Sequence, residues 1–226
     1  MHGYAGLLDA LHARIRAHAE AAGAKRRVLI HLGDYVDRGP DSKGVLDLLG
    51  VSWPGWERVD LMGNHEALML GFVDGTRDPR IWFANGGLET LASFGLDPGR
   101  PEPFLRAGLI RALGETGLRR LRDLRLCHRE GGYFFAHAGV RPGVPLDAQR
   151  AEDLMWIREA FLRAEMDHGA VVVHGHTIDP EPQDLPHRIG IDLGVYRHFR
   201  LGAVALSGAK REFLTVEDRA RAANAS

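Results

Sequence analysis

Residues 28–39 of the chain read VLIHLGDYVDRG, an apolar run followed at once by a loop that contains two glycines, two aspartates and an arginine. The run at 28–32 is short and rich in Val, Leu and Ile, which predicts a buried β-strand. The loop places the carboxylates of Asp34 and Asp37 directly beyond the end of that strand. In α/β proteins the carboxyl ends of strands form the edge where functional sites are built. This stretch therefore predicts a strand of an α/β sheet with polar chemistry at its end.

The same pattern of an apolar run followed by a short polar cluster occurs three more times. Predicted strands at 59–62, 133–136 and 170–173 are followed by GNHE at 63–66, HAG at 137–139 and GHT at 175–177. One such cluster is equally well explained as a turn, because Gly, Asp and Asn are the usual turn residues. Four clusters after four strands instead predict one site that the sheet assembles from distant parts of the chain.

The side chains in these clusters are those that bind divalent transition metals. Carboxylate, amide oxygen and imidazole suit manganese, iron or zinc, and one carboxylate can bridge two ions. Two metals about 3.5–4 Å apart can share a hydroxide and clamp both the attacking and the leaving oxygen of a phosphoryl transfer. Arg38, which follows Asp37, adds a planar guanidinium of the kind that binds phosphate oxygens. The pattern therefore indicates a two-metal site for phosphoester chemistry.

The four clusters resemble the motifs of the phosphoprotein phosphatase branch of the calcineurin-like metallophosphoesterases, in particular its small bacterial and phage members. The family pattern is Gly-Asp-x-His-Gly, Gly-Asp-x-Val-Asp-Arg-Gly, Gly-Asn-His-Glu, His-Ala-Gly or His-Gly-Gly, and Gly-His; the chain matches the last four in order. Segments at 85–95, 154–159 and 189–196 are also similar to the bacterial members. The resemblance implies a single α/β domain over residues 1–226, with two mixed β-sheets in a sandwich flanked by helices.

The resemblance further implies which residues bind metal. Asp34 would bridge two divalent ions, of which manganese is favoured, with iron or zinc as alternatives. Asn64, His137 and His176 would complete the site of the second ion. His2 would bind the first ion.

The remaining motif residues would act on the substrate. His65 would be the general acid that protonates the leaving oxygen. Asp37 would orient His65 and raise the pKa of its imidazole, as carboxylates beside imidazoles do. Arg38 and Arg158 would hold the phosphoryl oxygens, a task suited to a planar guanidinium.

The first family motif is incomplete in this chain. The sequence opens MHGY, so only the His-Gly half of the motif is present, and its aspartate would fall one residue before Met1. The strand that precedes this motif in the family, usually central in its sheet, is expected to be absent as well. A misassigned start, a truncation and a real loss of one metal ligand each account for this difference. We favour a misassigned start, because every downstream motif position is intact.

Composition excludes several classes of function. With 226 residues, of which 45% are hydrophobic and 26% charged, the chain can build a substantial core. The formal net charge of −1 gives no overall attraction to nucleic acid or to a membrane. The single Cys127 cannot form an intrachain disulfide, and no apolar stretch reaches 18 residues. We therefore expect a cytoplasmic monomer without nucleic-acid or membrane partners.

Several segments and residues outside the metal motifs are predicted to be structural. An amphipathic helix should end near Gly23, and the stretch from Glu66 to Leu124 should form a helical insert along one wall of the substrate cleft. The polar tail at 217–226 should fray. Glu66 should fix its own loop through hydrogen bonds. His12 has no partner at metal-ligand spacing and is predicted to be a surface or strand residue.

The leading prediction for function is metal-dependent hydrolysis of phosphomonoesters, above all phosphoserine and phosphothreonine in proteins. An alternative is the hydrolysis of dinucleoside polyphosphates, which related bacterial proteins carry out with the same metal core. A third possibility is a pseudo-phosphatase that binds phosphorylated partners without turnover, because its first metal site is incomplete. The loops that select the substrate, a phosphorylated protein or a small phosphoester, lie between Glu66 and Arg129 and around Pro180.

Overall fold

The structure contains the predicted strands, and the first two of them end next to the polar clusters at 33–39 and 63–66. The computed structural model describes residues 1–224 of the chain. Strand β1 (Val28–His31) pairs in parallel with β2 (Glu57–Asp60), and His31 lies opposite Asp60. Parallel pairing brings the carboxyl ends of both strands to one edge, which places the loops at 33–39 and 63–66 side by side.

The larger sheet is mixed and has five strands. Its order is β3 (Cys127–Glu130), β4 (Tyr133–Ala136), β5 (Val171–His174), β7 (Arg188–Gly190) and β6 (Gln183–Asp184). The three central strands run parallel, and the two edge strands pair antiparallel with their neighbours. β4 is buried along its whole length, as expected for a central strand covered on both faces. The predicted mixed α/β fold is confirmed.

The last two strands form a separate hairpin of β8 (Arg200–Ser207) and β9 (Lys210–Glu217). Instead of two sheets, the strands of residues 1–224 therefore form three hydrogen-bonded groups. A cavity of about 810 Å³ is lined by both β1 and β8, which do not pair with each other. Within residues 1–224 no strand lies between β1 and β8.

Helices separate and cover the strands. They are α1 (Ala5–Ala21), α2 (Ser42–Leu48), α3 (Asn64–Val73), α4 (Pro79–Trp82), α5 (Leu88–Ser93), α6 (Glu102–Arg122), α7 (Ala151–Trp156), α8 (Glu159–Leu162), α9 (Val195–His198) and α10 (Arg219–Asn224). α3 to α6 occupy the predicted helical insert. The Asp41 side chain caps α2 by accepting a 2.7 Å hydrogen bond from the Gly44 N–H. None of the helices within residues 1–224 has the length and apolarity needed to cross a bilayer.

The largest apolar cluster anchors the loop that follows β1. Tyr35 and Val36 of that loop are fully buried, and they pack in one cluster with Phe72 of α3 and Trp82 of α4. Burial of an apolar side chain of this size stabilises a fold by about 1.5–3 kcal/mol. The loop therefore holds its two carboxylates, on either side of Tyr35 and Val36, in fixed positions.

One prediction for the flanking segments is wrong. His12 is buried, with 3% of its surface exposed, because α1 packs this face against Trp53 and against His31 of β1. The tail, which was predicted to fray, has regular structure over its described part. The Asp218 N–H donates to the Phe199 carbonyl at 2.9 Å, and α10 follows directly. Residues 225–226 of the predicted tail lie outside the described residues.

Candidate metal centre

Three of the predicted metal ligands converge on His137 at the carboxyl ends of the strands. Its Nε2 atom lies 3.0 Å from Asn64 Oδ1, 3.3 Å from Asp34 Oδ1 and 3.2 Å from His176 Nδ1. All four side chains are buried. The structure thus brings together four residues that are spread over 143 positions of sequence, from 34 to 176.

The proton positions show why this cluster fits a cation. His137 Nδ1 lies 2.7 Å from the Leu32 carbonyl oxygen, so this nitrogen carries the proton of the neutral ring. The Nε2 atom then has only a lone pair, and it faces the oxygens of Asn64 and Asp34. Several acceptors that point at one another without a proton between them leave a strongly negative cluster, which a divalent cation satisfies. The buried His176 Nε2 has no hydrogen-bond partner.

A second cluster shares Asp34 with the first. His2 Nδ1 lies 3.0 Å from the Val36 carbonyl oxygen, so its Nε2 presents a lone pair to Asp34 Oδ2 at 3.3 Å. The ligand atoms of His2, Asp34 and His65 lie within 4.8 Å of one another. Asp34 therefore directs one carboxylate oxygen to each cluster, the arrangement that a bridging ligand needs.

The backbone around these ligands is held in unusual conformations. Among the described residues, six non-glycine residues have positive φ, and five of them are at this site: His2, Asp34, Asp37, Arg38 and His176. Each such residue costs about 1–3 kcal/mol and persists only where its surroundings hold it. Gly33, which precedes Asp34, is also constrained. A Cβ on Gly33 would lie 2.5 Å from the Gly63 nitrogen, so only glycine lets the two loops touch.

Glu66 holds the first two motif loops together, as predicted. Its carboxylate accepts hydrogen bonds from the backbone N–H groups of Asp34 at 2.8 Å, Tyr35 at 2.7 Å and Val36 at 3.2 Å, and from Gly63 at 3.0 Å. The Glu66 side chain is fully buried, and burial raises its pKa above the usual range. It contacts backbone rather than the metal-ligand cluster, so its role is to fix the loops.

Asp37 and His65 form a buried pair. Their Oδ2 and Nδ1 atoms are 2.7 Å apart, and Asp37 also accepts from Trp82 Nε1 at 2.9 Å and from Thr90 Oγ1 at 2.7 Å. The hydrogen bonds from Trp82 and Thr90 were not predicted. These residues follow Asp37 by 45 and 53 positions, and nothing in their local sequence marks them as its partners.

The pKa of His65 is lowered in the free protein, whereas pairing with Asp37 was predicted to raise it. Burial is the largest effect on both groups: it lowers the pKa of His65 and raises the pKa of Asp37 to about 8. Both shifts favour the neutral forms. In the free protein the pair is therefore a neutral carboxyl and a neutral imidazole joined by a 2.7 Å hydrogen bond.

In the metal-ligand cluster the carboxylate of Asp34 differs from that of Asp37, because its pKa is lowered rather than raised. Burial is the largest effect on Asp34 and opposes its ionisation, but the imidazoles of His137, His65 and His2 hold its pKa well below the usual range. Burial, reinforced by His137, lowers the pKa of His176 to about 3. The ionised carboxylate is the form in which Asp34 can bind a metal, and metal binding would release protons from the imidazoles.

The two predicted phosphate-binding arginines lie at the rim of the site. The Arg38 guanidinium lies over the ring of Tyr196, 4.2 Å from the ring centre. Arg158 is exposed, and its Nη1 lies 3.4 Å from the carbonyl oxygen of His176. Tyr196 belongs to a segment that resembles bacterial phosphatases, but its contact with Arg38 was not predicted.

Comparison with solved structures shows the same architecture. A putative diadenosine tetraphosphatase superposes with a TM-score of 0.62 and 22% identity, over 96% of this chain and 89% of that chain. A hypothetical protein from Pyrococcus horikoshii OT3 superposes with a TM-score of 0.56 and 18% identity, over 99% of this chain and 88% of that chain. At these identities the likeness shows the fold alone.

Sequence comparison identifies the family. Serine/threonine-protein phosphatase 2 of Escherichia coli (strain K12) is 40% identical over 72 residues, which are 32% of this chain and 31% of that protein. Serine/threonine-protein phosphatase 1 of Salmonella typhimurium is 40% identical over 60 residues, 26% of each protein. The matches thus span about a third or less of these relatives. The family model for the calcineurin-like phosphoesterases matches residues 1–180. The chain therefore belongs to the calcineurin-like phosphoesterase family, whose members are metal-dependent phosphoester hydrolases.

Proposed function

We propose that the protein hydrolyses phosphomonoesters, with phosphoserine and phosphothreonine in proteins as its main substrates. The observation that carries the proposal is Asp34, whose two carboxylate oxygens face His137 Nε2 and His2 Nε2, each at 3.3 Å. Two divalent ions, when bound there, supply an activated water and neutralise charge on the phosphoryl oxygens. Manganese is favoured, with iron or zinc as alternatives. The partial similarity to bacterial serine/threonine phosphatases supports this substrate class.

His65 is proposed to protonate the leaving oxygen. Its Nδ1 is bound to Asp37, so the ring is fixed, and its ligand atom lies within 4.8 Å of those of Asp34 and His2. Burial lowers the pKa of His65 in the free protein. A phosphate dianion next to the ring favours the imidazolium, so substrate binding charges the acid that the reaction needs. A positioned proton donor accelerates such a step by about 10²–10⁴-fold.

Arg38 and Arg158 are proposed to bind the phosphoryl oxygens from the rim. Both are arginines, whose planar guanidinium can donate two parallel hydrogen bonds to one phosphate. Neither guanidinium has an ion-pair partner among the carboxylates of residues 1–224. Arg158 donates Nη1–H to the His176 carbonyl oxygen at 3.4 Å, and its other N–H donors remain available for substrate, as do those of Arg38.

One observation favours a second candidate, the hydrolysis of dinucleoside polyphosphates. Trp156 is 36% exposed, and its ring centre lies 6.4 Å from that of His176. An exposed indole beside a metal centre offers a surface on which a nucleobase can stack. A phosphopeptide has no need of such a surface. The third candidate, a phospho-binding protein without turnover, follows if His2 and Asp34 hold the first ion too weakly.

The proposal is tested on the protein loaded with manganese, iron or zinc, by phosphate release from phosphoserine and phosphothreonine peptides and by nucleotide release from diadenosine tetraphosphate. We expect faster hydrolysis of the two phosphopeptides than of diadenosine tetraphosphate. A preference for diadenosine tetraphosphate that Trp156→Ala abolishes would favour the second candidate. Binding of phosphopeptide without release of phosphate would favour the third. We further propose that the protein works as a cytoplasmic monomer, in keeping with its single cysteine.

A further inference from the structure

Tyr196 contacts two side chains of the candidate site, Arg38 and His2, but is itself neither a predicted metal ligand nor a predicted phosphate-binding residue. Its ring carries the Arg38 guanidinium on its face at 4.2 Å. The same ring is perpendicular to the imidazole of His2, with the ring centres 5.3 Å apart and an angle of 88° between the planes. Tyr196 lies in α9, a single turn between Gly194 and Phe199, both with positive φ. Gly194, which precedes this turn, packs closely against Ile178, because a Cβ on Gly194 would lie 2.7 Å from Ile178 Cγ2.

Arg38 depends on this ring for its side-chain position. Its backbone is held by positive φ and by a 3.2 Å hydrogen bond from its N–H to the Gly86 carbonyl. Within residues 1–224, however, its guanidinium makes no ion pair, and the contact with the face of Tyr196 is the interaction that orients it. A long arginine side chain without such a contact has many rotamers, of which few point at the metal centre.

We propose that Tyr196 is a positioning residue that holds the Arg38 guanidinium ready for a phosphoryl group. An aromatic face suits this role better than a carboxylate would. A cation–π contact orients the guanidinium without using its N–H donors, so all of them remain available to phosphate oxygens. An acidic partner would instead compete with the substrate. This inference rests on the proposed function, because it assumes that Arg38 binds the phosphoryl group.

The first test compares variants that keep or remove the ring. The probe is inorganic phosphate, whose affinity for the manganese-loaded protein is measured by calorimetry and does not require turnover. Tyr196→Leu should weaken phosphate binding about threefold to tenfold, the range expected for loss of a partly buried cation–π contact. Tyr196→Phe keeps the ring and should bind phosphate as the parent does. Arg197→Ala is the matched control, since this exposed arginine lies 5.5 Å from the same ring.

A double-mutant cycle tests whether the effect passes through Arg38. If it does, Tyr196→Leu should have no further effect on phosphate affinity in an Arg38→Ala background. Additive losses would overturn the proposal. So would a loss of bound manganese in Tyr196→Leu, because the ring would then act through His2. In steady-state kinetics, Tyr196→Leu should raise KM for p-nitrophenyl phosphate more than it lowers kcat.

The outcomes separate this inference from the proposed function. Equal phosphate affinity of the parent and Tyr196→Leu would overturn the positioning role while leaving phosphatase activity intact. Failure of the parent to hydrolyse any phosphomonoester would contradict the proposed function. Phosphate binding would still decide the role of Tyr196 in that case.

Discussion

His137 Nε2 lies 3.0 Å from the side-chain oxygen of Asn64, a residue 73 positions earlier in the chain. Because His137 Nδ1 is bound to the Leu32 carbonyl, a lone pair on Nε2 meets a lone pair on oxygen. For the neutral ring this contact is unfavourable, and a divalent cation between the two groups would relieve it. A metal bound there would link the second and third motif loops.

We therefore expect the protein to retain about one transition metal per chain after dialysis, because one cation with four protein ligands is held far more tightly than one with two. His137→Ala should lower the metal content severalfold. His18→Ala is the control, since His18 lies in α1 next to Glu212, away from the motif loops. Metal analysis by mass spectrometry makes the comparison. A metal-free parent protein would show that the four loops do not form a metal site.

The Asp37–His65 pair predicts a dependence on the leaving group. His65→Asn should reduce kcat about 10²–10⁴-fold with an alkyl phosphate, whose leaving oxygen needs a proton. The loss should be much smaller with p-nitrophenyl phosphate, because p-nitrophenolate leaves without protonation. Asp37→Asn should show the same difference more weakly. Equal losses of His65→Asn on both substrates would mean that His65 supports the structure rather than the reaction.

His12 predicts a loss of stability in acid. Burial, followed by the neighbouring His31, lowers its pKa to about 3, below the ordinary value of 6.5. Between these values the unfolded chain binds a proton that the folded chain does not, so this contribution to stability is complete above pH 6.5. It falls as the pH drops toward 3, by at most about 1.4 kcal/mol per pH unit.

His12→Gln tests this titration, because glutamine can still reach His31 but does not ionise. Its free energy of unfolding should change less steeply than that of the parent between pH 6.5 and pH 4, as measured by urea denaturation. Parallel curves for the parent and His12→Gln would contradict the buried, neutral state of His12.

The cavity between β1 and β8 predicts that an added strand stabilises the protein. An engineered extension would place an apolar strand and then Gly-Asp directly before Met1, so that Met1 is the residue between the new aspartate and His2. The Met1 nitrogen already donates to the Asp34 carbonyl at 2.7 Å, as a peptide N–H in its place would. The strand would fill about 810 Å³ of cavity, and the new aspartate would lie near His2.

We expect the extended protein to have a higher Tm and a faster rate on p-nitrophenyl phosphate with manganese. The stability gain comes from apolar burial, and the rate gain comes from a third carboxylate or imidazole ligand for the first ion. A Gly-Ser extension of the same length is the control and should change neither quantity. If the strand extension also changes neither, the cavity does not accept a strand and His2 is not a ligand.

Much of the fold could be predicted because its signals are local. The strands at Val28–His31 and Tyr133–Ala136 are short apolar runs, and a glycine-bounded polar cluster follows each one. The role of Glu66 was predictable from its motif, because a carboxylate three residues into a helix commonly bonds to the N–H groups before it. The residue types in the four clusters were likewise sufficient to predict a metal-binding site.

Sequence by itself thus determined the strands, the order of the motif loops and the chemistry of their side chains, since each depends on residues adjacent in the chain. Tertiary structure decided which distant groups surround them. It enclosed Asp37 with Trp82 and Thr90, turned His12 inward, and set Tyr196 against Arg38. The pKa shifts follow from those neighbours, because desolvation and hydrogen bonding depend on what packs around a group in space, which no local pattern records.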